Sequence, residues 1–120
     1  MANINPDPHR YGYVFVPLNR VTALFSSDAD AKAAVGEVKA LGIEATAIDV
    51  FIGEDGAAAL DLTGLEHGTV VRTLRTGGIA IAILMDQRES MKDDVAAVLR
   101  RHRAWAIRYW GRWTIEGLDH

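Results

Sequence analysis

Residues 20–53 have the sequence RVTALFSSDADAKAAVGEVKALGIEATAIDVFIG, and they decide the fold because they hold a strand, a helix and a second strand in succession. The run RVTALFSS (20–27) is rich in β-branched and apolar residues, which predicts a strand. Ser27 then stands three residues before Asp30, the spacing of a capping box, although glutamate or glutamine is the more usual partner. We therefore expect a helix to begin just after Ser27.

The predicted helix carries one apolar stripe on an otherwise polar surface. Its members recur at helical spacing: Ala31, Ala34, Val35, Val38 and Leu41. Gly42 ends the helix, because glycine accepts the left-handed conformation common at helix termini. Residues 43–53 then alternate as a second strand, with Ile48, Val50 and Ile52 on one face.

The second half of the chain repeats this order. Residues 77–86, GGIAIAILMD, predict a strand whose unbroken apolar character suits a central position, or one against a partner subunit. Ser90 lies three residues before Asp93 and predicts a second capped helix. The apolar stripe of that helix consists of Met91, Val95, Val98, Leu99 and His102. Residues 104–110, AWAIRYW, alternate as the last strand.

Two βαβ units in succession predict an α+β fold, a ferredoxin-like split βαβ sandwich with a mainly antiparallel sheet and helices on one face. A small doubly wound sheet is the alternative. Residues 1–11 are expected to form a flexible tail, and 12–118 a single domain with GYVFVP (12–17) as a candidate extra edge strand. The second sheet face would carry no helix, and such a face commonly binds another molecule, often a second copy.

Composition narrows the class of protein. The chain has 120 residues, a formal net charge of -3 and no cysteine, which excludes disulfides, cysteine-based zinc sites and a thiol nucleophile. The beginning lacks a basic segment followed by an apolar run, and no apolar stretch is long enough to cross a bilayer. We expect a cytoplasmic protein without a membrane partner, and the acidic balance argues against nucleic acid.

Candidates for catalysis or metal binding are sparse. The histidines, none at metal-ligand spacing from another, are His9, His67, His102 and His120. The carboxylates near the second strand, interpreted as solvated loop charges, are Asp49, Glu54, Asp55 and Asp61. His102 is expected to pack against its helix stripe. The sequence predicts no cofactor, no metal and no enzymatic activity.

Residues 54–77 form an insertion with only broken periodicity. A short helix is expected from His67 or Gly68 to Leu74, with Arg72 and Arg75 outside at neighbouring turns. Two guanidinium groups on one helix face could hold a phosphate or carboxylate, with His67 beside them. A solvated helix face is the alternative.

The C-terminal stretch AIRYWGRWTIEGLDH (106–120) mixes tryptophan, tyrosine and arginine, which are enriched where proteins meet. The predicted interface residues are Arg108, Tyr109, Trp110, Arg112 and Trp113. Two alternatives stay open, namely that the tryptophans fill the domain's own core and that the aromatics stack on nucleic-acid bases.

The stretches VTALFSSDADAKAAVGEVKALG, LDLTGLEHG, LRRHRAW and YWGRWTIEGL resemble the family of small bacterial proteins related to the heat-induced general stress protein YflT. The resemblance implies a stress-associated cytoplasmic protein without a known cofactor. The leading hypothesis is a non-enzymatic protein that forms a homo-oligomer, dimer or higher, through its sheet face and C-terminal strand. The alternative is a sensor of a small anionic ligand that uses His67, Arg72 and Arg75, with Trp110 as a lid.

Overall fold

Five strands form one antiparallel sheet in this computed structural model, which describes residues 18–59, 65–111 and 114–118, with 65–67 described by their backbone. The strands are β1 (Arg20–Phe25), β2 (Ile48–Ile52), β3 (Ile79–Leu84), β4 (Trp105–Trp110) and β5 (Ile115–Gly117). Their order is β2-β3-β1-β4-β5, so that β3 separates β1 from β2 and β1 separates β3 from β4. The predicted α+β class with an antiparallel, ferredoxin-like sheet is confirmed.

Helices α1 (Asp28–Ala40) and α4 (Lys92–Arg101) each join the two strands of one βαβ unit, β1 to β2 and β3 to β4, and pack on one face of the sheet. The predicted start of α1 is confirmed, because the Asp30 N–H donates to Ser27 Oγ at 3.1 Å. Gly42 follows the helix with a φ of 100°, a conformation that glycine adopts without strain. The predicted Ser90 cap is wrong. A 3-10 turn at Glu89–Met91 precedes α4, and Met91 is its N-cap without a side-chain hydrogen bond.

The first core lies between the sheet and these two helices. It is built from alternate strand residues and the inner helix stripes, namely Val21, Ala23, Phe25, Ala31, Ala34, Val38, Ile79, Ile81, Ile83, Val95, Val98, Leu99 and Ile107 among others. Every second residue of β1 and β3 points here, as the pleat requires. The helix stripes predicted from the sequence are therefore the inner faces of α1 and α4, except that Leu41 is 37% exposed.

The insertion folds into α2 (Gly53–Ala59) and α3 (Leu65–Arg75), so the helix predicted from residue 67 or 68 begins earlier. These helices pack on the opposite face of the sheet and build a second core from Leu24, Phe51, Ala57, Ala59, Val70, Leu74, Ala80, Ala82 and Trp110. The expectation that this face carries no helix is therefore wrong. The small side chains of Ala80 and Ala82 let the short helices approach the sheet closely.

The predicted tail (1–11) and extra edge strand (12–17) lie outside the described residues. Within the part of the chain that is described, no helix is long and apolar enough to span a membrane.

Candidate interaction surface

The edge strand β2 is only partly covered on the face that carries α1. This helix packs mainly over β1 and β3, which leaves a groove of about 380 Å³ between α1 and β2. The groove is lined by Asp28, Ala31, Lys32, Val35, Gly36, Lys39, Val50, Ile52, Ile79 and Ile81. Its lining is mostly apolar, and its charged side chains all belong to α1. We call the groove together with the outer edge of β2 the β2 surface.

Two large apolar side chains on β2 project into this open space. Val50 is 49% exposed and Ile52 is 61% exposed, whereas Ile79 and Ile81 beneath them are buried. Single exposed apolar residues are common on proteins, but two on an edge strand beside an apolar groove form a continuous patch. The outer side of β2 has no neighbouring strand among the described residues. The β2 surface thus combines exposed apolar side chains with an edge strand.

The other face of β2 is held firmly by α2. Phe51 is 8% exposed and lies in the second core. A Cβ atom added at Gly56 would come within 2.8 Å of the Phe51 carbonyl carbon, so only glycine allows α2 to lie this close to the strand. One face of β2 is therefore fixed while the other remains open.

A charged pair lies on that same fixed face. Arg20 Nε is 4.0 Å from Asp49 Oδ2, across the intervening strand β3. Burial raises the pKa of the Asp49 carboxyl, and the positive charge of Arg20 opposes this shift. Asp49 is thus an ion-paired strand residue, not the loop charge that the sequence indicated.

The α1 wall of the groove is tied to α4 by a polar seam. The Glu37 carboxylate contacts both the His102 ring and the Arg101 guanidinium, and Arg103 Nη1 donates to Asp30 Oδ1 at 2.9 Å. Hydrogen bonds from His102 and then Arg101 lower the pKa of Glu37. His102 is half-buried, as predicted, and it also joins the two helices.

Trp110 fills the protein's own second core. Its indole is 7% exposed, and Nε1 donates to the buried Thr22 Oγ1 at 2.7 Å. Of the alternatives that the sequence left open, core packing applies to this tryptophan. A buried ring that has already satisfied its one donor is not available as a contact surface or as a ligand lid.

The other predicted interface residues are placed differently. Tyr109 is half-buried, its hydroxyl donates to Asn19 Oδ1 at 2.7 Å, and Lys92 Nζ lies 4.8 Å from its ring centroid. Arg108 is half-buried and donates to the Ile107 carbonyl at 3.1 Å. Arg112 and Trp113 lie outside the described residues. The structure therefore brings no exposed aromatic cluster together from the described part of this set.

Trp105 is 37% exposed, at a bulge where Ala106 has a φ of 53°. The bulge shifts the pairing of β4 with β1, so the simple alternation predicted for this strand holds only beyond it.

The predicted anion site on α3 is a shallow hollow lined by Gly68, Val71, Arg72, Arg75 and Thr76. Both guanidinium groups belong to it, as the helical spacing indicated. However, Arg75 Nε donates to Glu54 Oε2 at 2.6 Å, which neutralises one of the two cations. The side chain of His67 is outside the described residues.

Only one of the remaining titratable candidates lies among the described residues. Asp55 is exposed, while His9, Asp61 and His120 lie outside the described residues. No group of three potential metal ligands is found among the side chains that the structure describes.

The sequence contained the signal for the β2 surface, since the strand residues Ile48, Val50 and Ile52 alternate correctly. This alternation shows that the three residues share one face of the sheet, but it does not show whether a helix covers that face.

No protein-family model, no curated protein and no solved structure matches the chain. The resemblance to the YflT family stays a prediction.

Proposed function

We propose that this chain is a non-enzymatic interaction protein that self-associates through the β2 surface. The observation that carries the proposal is the exposure of Val50 and Ile52 on an edge strand beside an apolar groove. The stress-associated, cytoplasmic setting of the proposal comes from the resemblance of four stretches between Val21 and Leu118 to the YflT family and from the cysteine-free composition.

Burial of these side chains supplies the driving force. Covering a valine or isoleucine side chain that is half exposed contributes roughly 1 kcal/mol, and backbone pairing along the edge adds directional hydrogen bonds. Proteins that stay monomeric commonly place a lysine, a proline or a bulge on such an edge. Over Ile48–Ile52, β2 has no lysine, proline or bulge, its one charged residue, Asp49, is ion-paired with Arg20, and its register with β3 is continuous.

The C-terminal strand is a weaker candidate for the same role. Trp110 is enclosed, Tyr109 is bonded to Asn19, and β5 has only three residues. The geometry therefore favours the opposite edge of the sheet from the one that the sequence composition indicated.

The test is the molar mass of the full chain, measured by size-exclusion chromatography with light scattering over a range of concentrations. We expect an oligomer, and we expect Val50→Lys to raise its dissociation constant about 30-fold or more, because two copies each lose roughly 1 kcal/mol of apolar burial. Ile115→Lys is the matched control, since Ile115 is also 49% exposed but lies on β5. A monomer at all concentrations, or equal effects of the two variants, would contradict the proposal.

A small anionic ligand on α3 is the second candidate, favoured by the single hollow that Arg72 and Arg75 share. Inorganic phosphate would then raise the melting temperature, and Arg72→Ala would abolish the rise. Glu54→Gln would strengthen it, because that change releases Arg75. A rise that survives Arg72→Ala would place the phosphate elsewhere.

A further inference from the structure

We infer that the groove between α1 and β2 binds a small ligand, a linear aliphatic monocarboxylate, with its alkyl chain over the apolar floor and its carboxylate at Lys39. Binding of this ligand does not require self-association, so the inference goes beyond the proposed function. Three features of the groove support it: the apolar floor, the balance of charges, and a glycine in the middle of α1.

The groove has the size and the lining of a small-molecule site. Its volume of about 380 Å³ falls within the range of roughly 300 to 1,000 Å³ that is usual for such clefts. Ile79 and Ile81 are buried at its floor, and the exposed Val50 and Ile52 stand beside them on β2. An alkyl chain laid over these side chains is removed from water, which is the main driving force for binding an apolar chain.

The charges of the groove leave one cation uncompensated at one end. Three charged side chains line the groove, all of them from α1: Asp28, Lys32 and Lys39. Lys32 Nζ is 3.0 Å from Asp28 Oδ2, so these two neutralise each other. The Lys39 side chain makes no ion pair or hydrogen bond with any residue that the structure describes. It lies about 10 Å further along the helix axis than Lys32, so an anionic head group is favoured at that end.

Gly36 keeps the α1 wall of the groove open between the two lysines. It lies in the interior of the helix, where glycine is less favourable than alanine. A Cβ atom added at Gly36 would meet nothing within 4 Å, so no packing contact requires glycine here. Because Gly36 lines the groove, a large side chain at this position would occupy it. Its absence leaves room for a chain that runs along the helix.

A linear monocarboxylate is the ligand class that fits these features together. Its tail needs apolar surface, and its head needs a cation at the end of that surface. An alkylammonium would bring a like charge to Lys39, and a dicarboxylate would bring its second charge toward Asp28.

Decanoate is the probe for this site, added in excess to the full chain below the concentration at which it forms micelles. We expect saturable shifts in amide NMR spectra, centred on Val35, Gly36 and Val50. Octanoate should bind about 10-fold more weakly, because two buried methylene groups are lost. Shifts that do not saturate, or that spread over the whole surface, would overturn the inference.

Three variants test the roles of the charge and of the open wall. Lys39→Met should weaken binding of decanoate about fivefold and leave binding of decanol unchanged, because only the carboxylate uses the ammonium group. Lys32→Met is the matched control and should change the affinity for decanoate little, since Lys32 is already paired with Asp28. Gly36→Leu should abolish binding of both ligands without lowering the melting temperature, because leucine fills the groove and is the better helix former. Equal effects of the two lysine variants, or undiminished binding by Gly36→Leu, would contradict the assignment.

Light scattering separates this inference from the proposed function. Decanoate in the groove covers Val50, so it should dissociate an oligomer that forms through the β2 surface. Decanoate bound in the groove of a chain that is always monomeric would support the inference and contradict the proposed self-association. An oligomer that persists in excess decanoate, without shifts at the groove, would overturn the inference and leave self-association intact.

Discussion

β2 and β5 are the two edge strands of the described sheet, and they differ in length, in exposed side chains and in what holds them. β2 has five residues and exposes Val50 and Ile52 beside the groove. β5 has three residues, and its Glu116 accepts a hydrogen bond from Lys92 at 2.6 Å. A very short edge strand is a common protection against unwanted strand pairing, whereas charge does not distinguish the two edges, because β2 also carries an ion-paired residue, Asp49. On the proposed function, we expect β5 to be the edge that is closed to partners and β2 to be the one that is available.

The largest effect is expected from Trp110→Ala, beside the closed edge. Trp110 is 7% exposed and donates to Thr22, so the variant leaves a large cavity and an unpaired buried hydroxyl. We expect the free energy of unfolding to fall by about 3 to 5 kcal/mol in urea denaturation.

Two variants show whether this loss is one of folding or of association. Trp105→Ala is the control, since Trp105 is 37% exposed, and we expect a change of less than about 1 kcal/mol. Trp110→Phe keeps most of the packing in case the alanine variant does not fold. If Trp110→Ala dissociated the oligomer and left the stability of the monomer unchanged, the roles of β2 and β5 as available and closed edges would be reversed.

Gly56→Ala tests how firmly the inner face of β2 is held. The new Cβ would lie 2.8 Å from the Phe51 backbone, and the shift that this forces should lower the free energy of unfolding by about 1 to 3 kcal/mol.

Gly68→Ala is the matched control on α3. A Cβ there meets nothing within 4 Å, so the variant should gain about 0.5 to 1 kcal/mol from helix propensity. Equal and favourable effects of both substitutions in thermal melts would mean that α2 does not press on β2.

Part of this comparison could be predicted from the sequence. Period-3.6 stripes and the Ser27 cap identified α1, and alternation identified the strands, because both patterns are local. Whether Val50 is covered depends on the lateral position of α1 over the sheet, and contacts of α1 such as that of Glu37 with His102 join residues that lie far apart in the sequence.

The insertion was predicted only in part for a related reason: a helix from residue 67 or 68 to Leu74 was expected, but α2 was not. Its periodicity is broken, and α2 and α3 pack against each other and against the second core on the sheet, which are contacts that the sequence does not show. The composition of the C-terminal stretch indicated an interface, but composition does not reveal which sheet face a helix covers. That is why Trp110 was a candidate contact although it lies in the second core.

Acid pH is expected to affect Glu37, on the helix beside the groove, and Asp49, on the edge strand, in opposite directions. The pKa of Glu37 is lowered, so its bonds stabilise the fold above its ordinary pKa of 4.5, and this stability is lost as the pH falls through the lower value in the folded state. The pKa of Asp49 is raised, so the folded state takes up this proton first and stability rises as the pH falls through that value.

Urea denaturation between neutral and acid pH should show both effects. Glu37→Gln should flatten the loss of stability in acid, and Asp49→Asn should steepen it, because it removes the opposing contribution. The same slope in both variants would contradict the signs of the two shifts.

Glu116→Gln should have the smallest effect, and it probes the closed edge. The hydrogen bond from Lys92 to Glu116 raises the pKa of Lys92, and both side chains remain partly exposed, so solvent screens the pair. We expect the free energy of unfolding to fall by about 0.5 kcal/mol and the pKa of Lys92 to move back toward its ordinary value, as followed by NMR titration. The oligomer should keep its dissociation constant, because β5 lies at the far side of the sheet from β2. If Glu116→Gln instead strengthened self-association, the charge on β5 would be what keeps a partner away, and both edges would have to be counted as available.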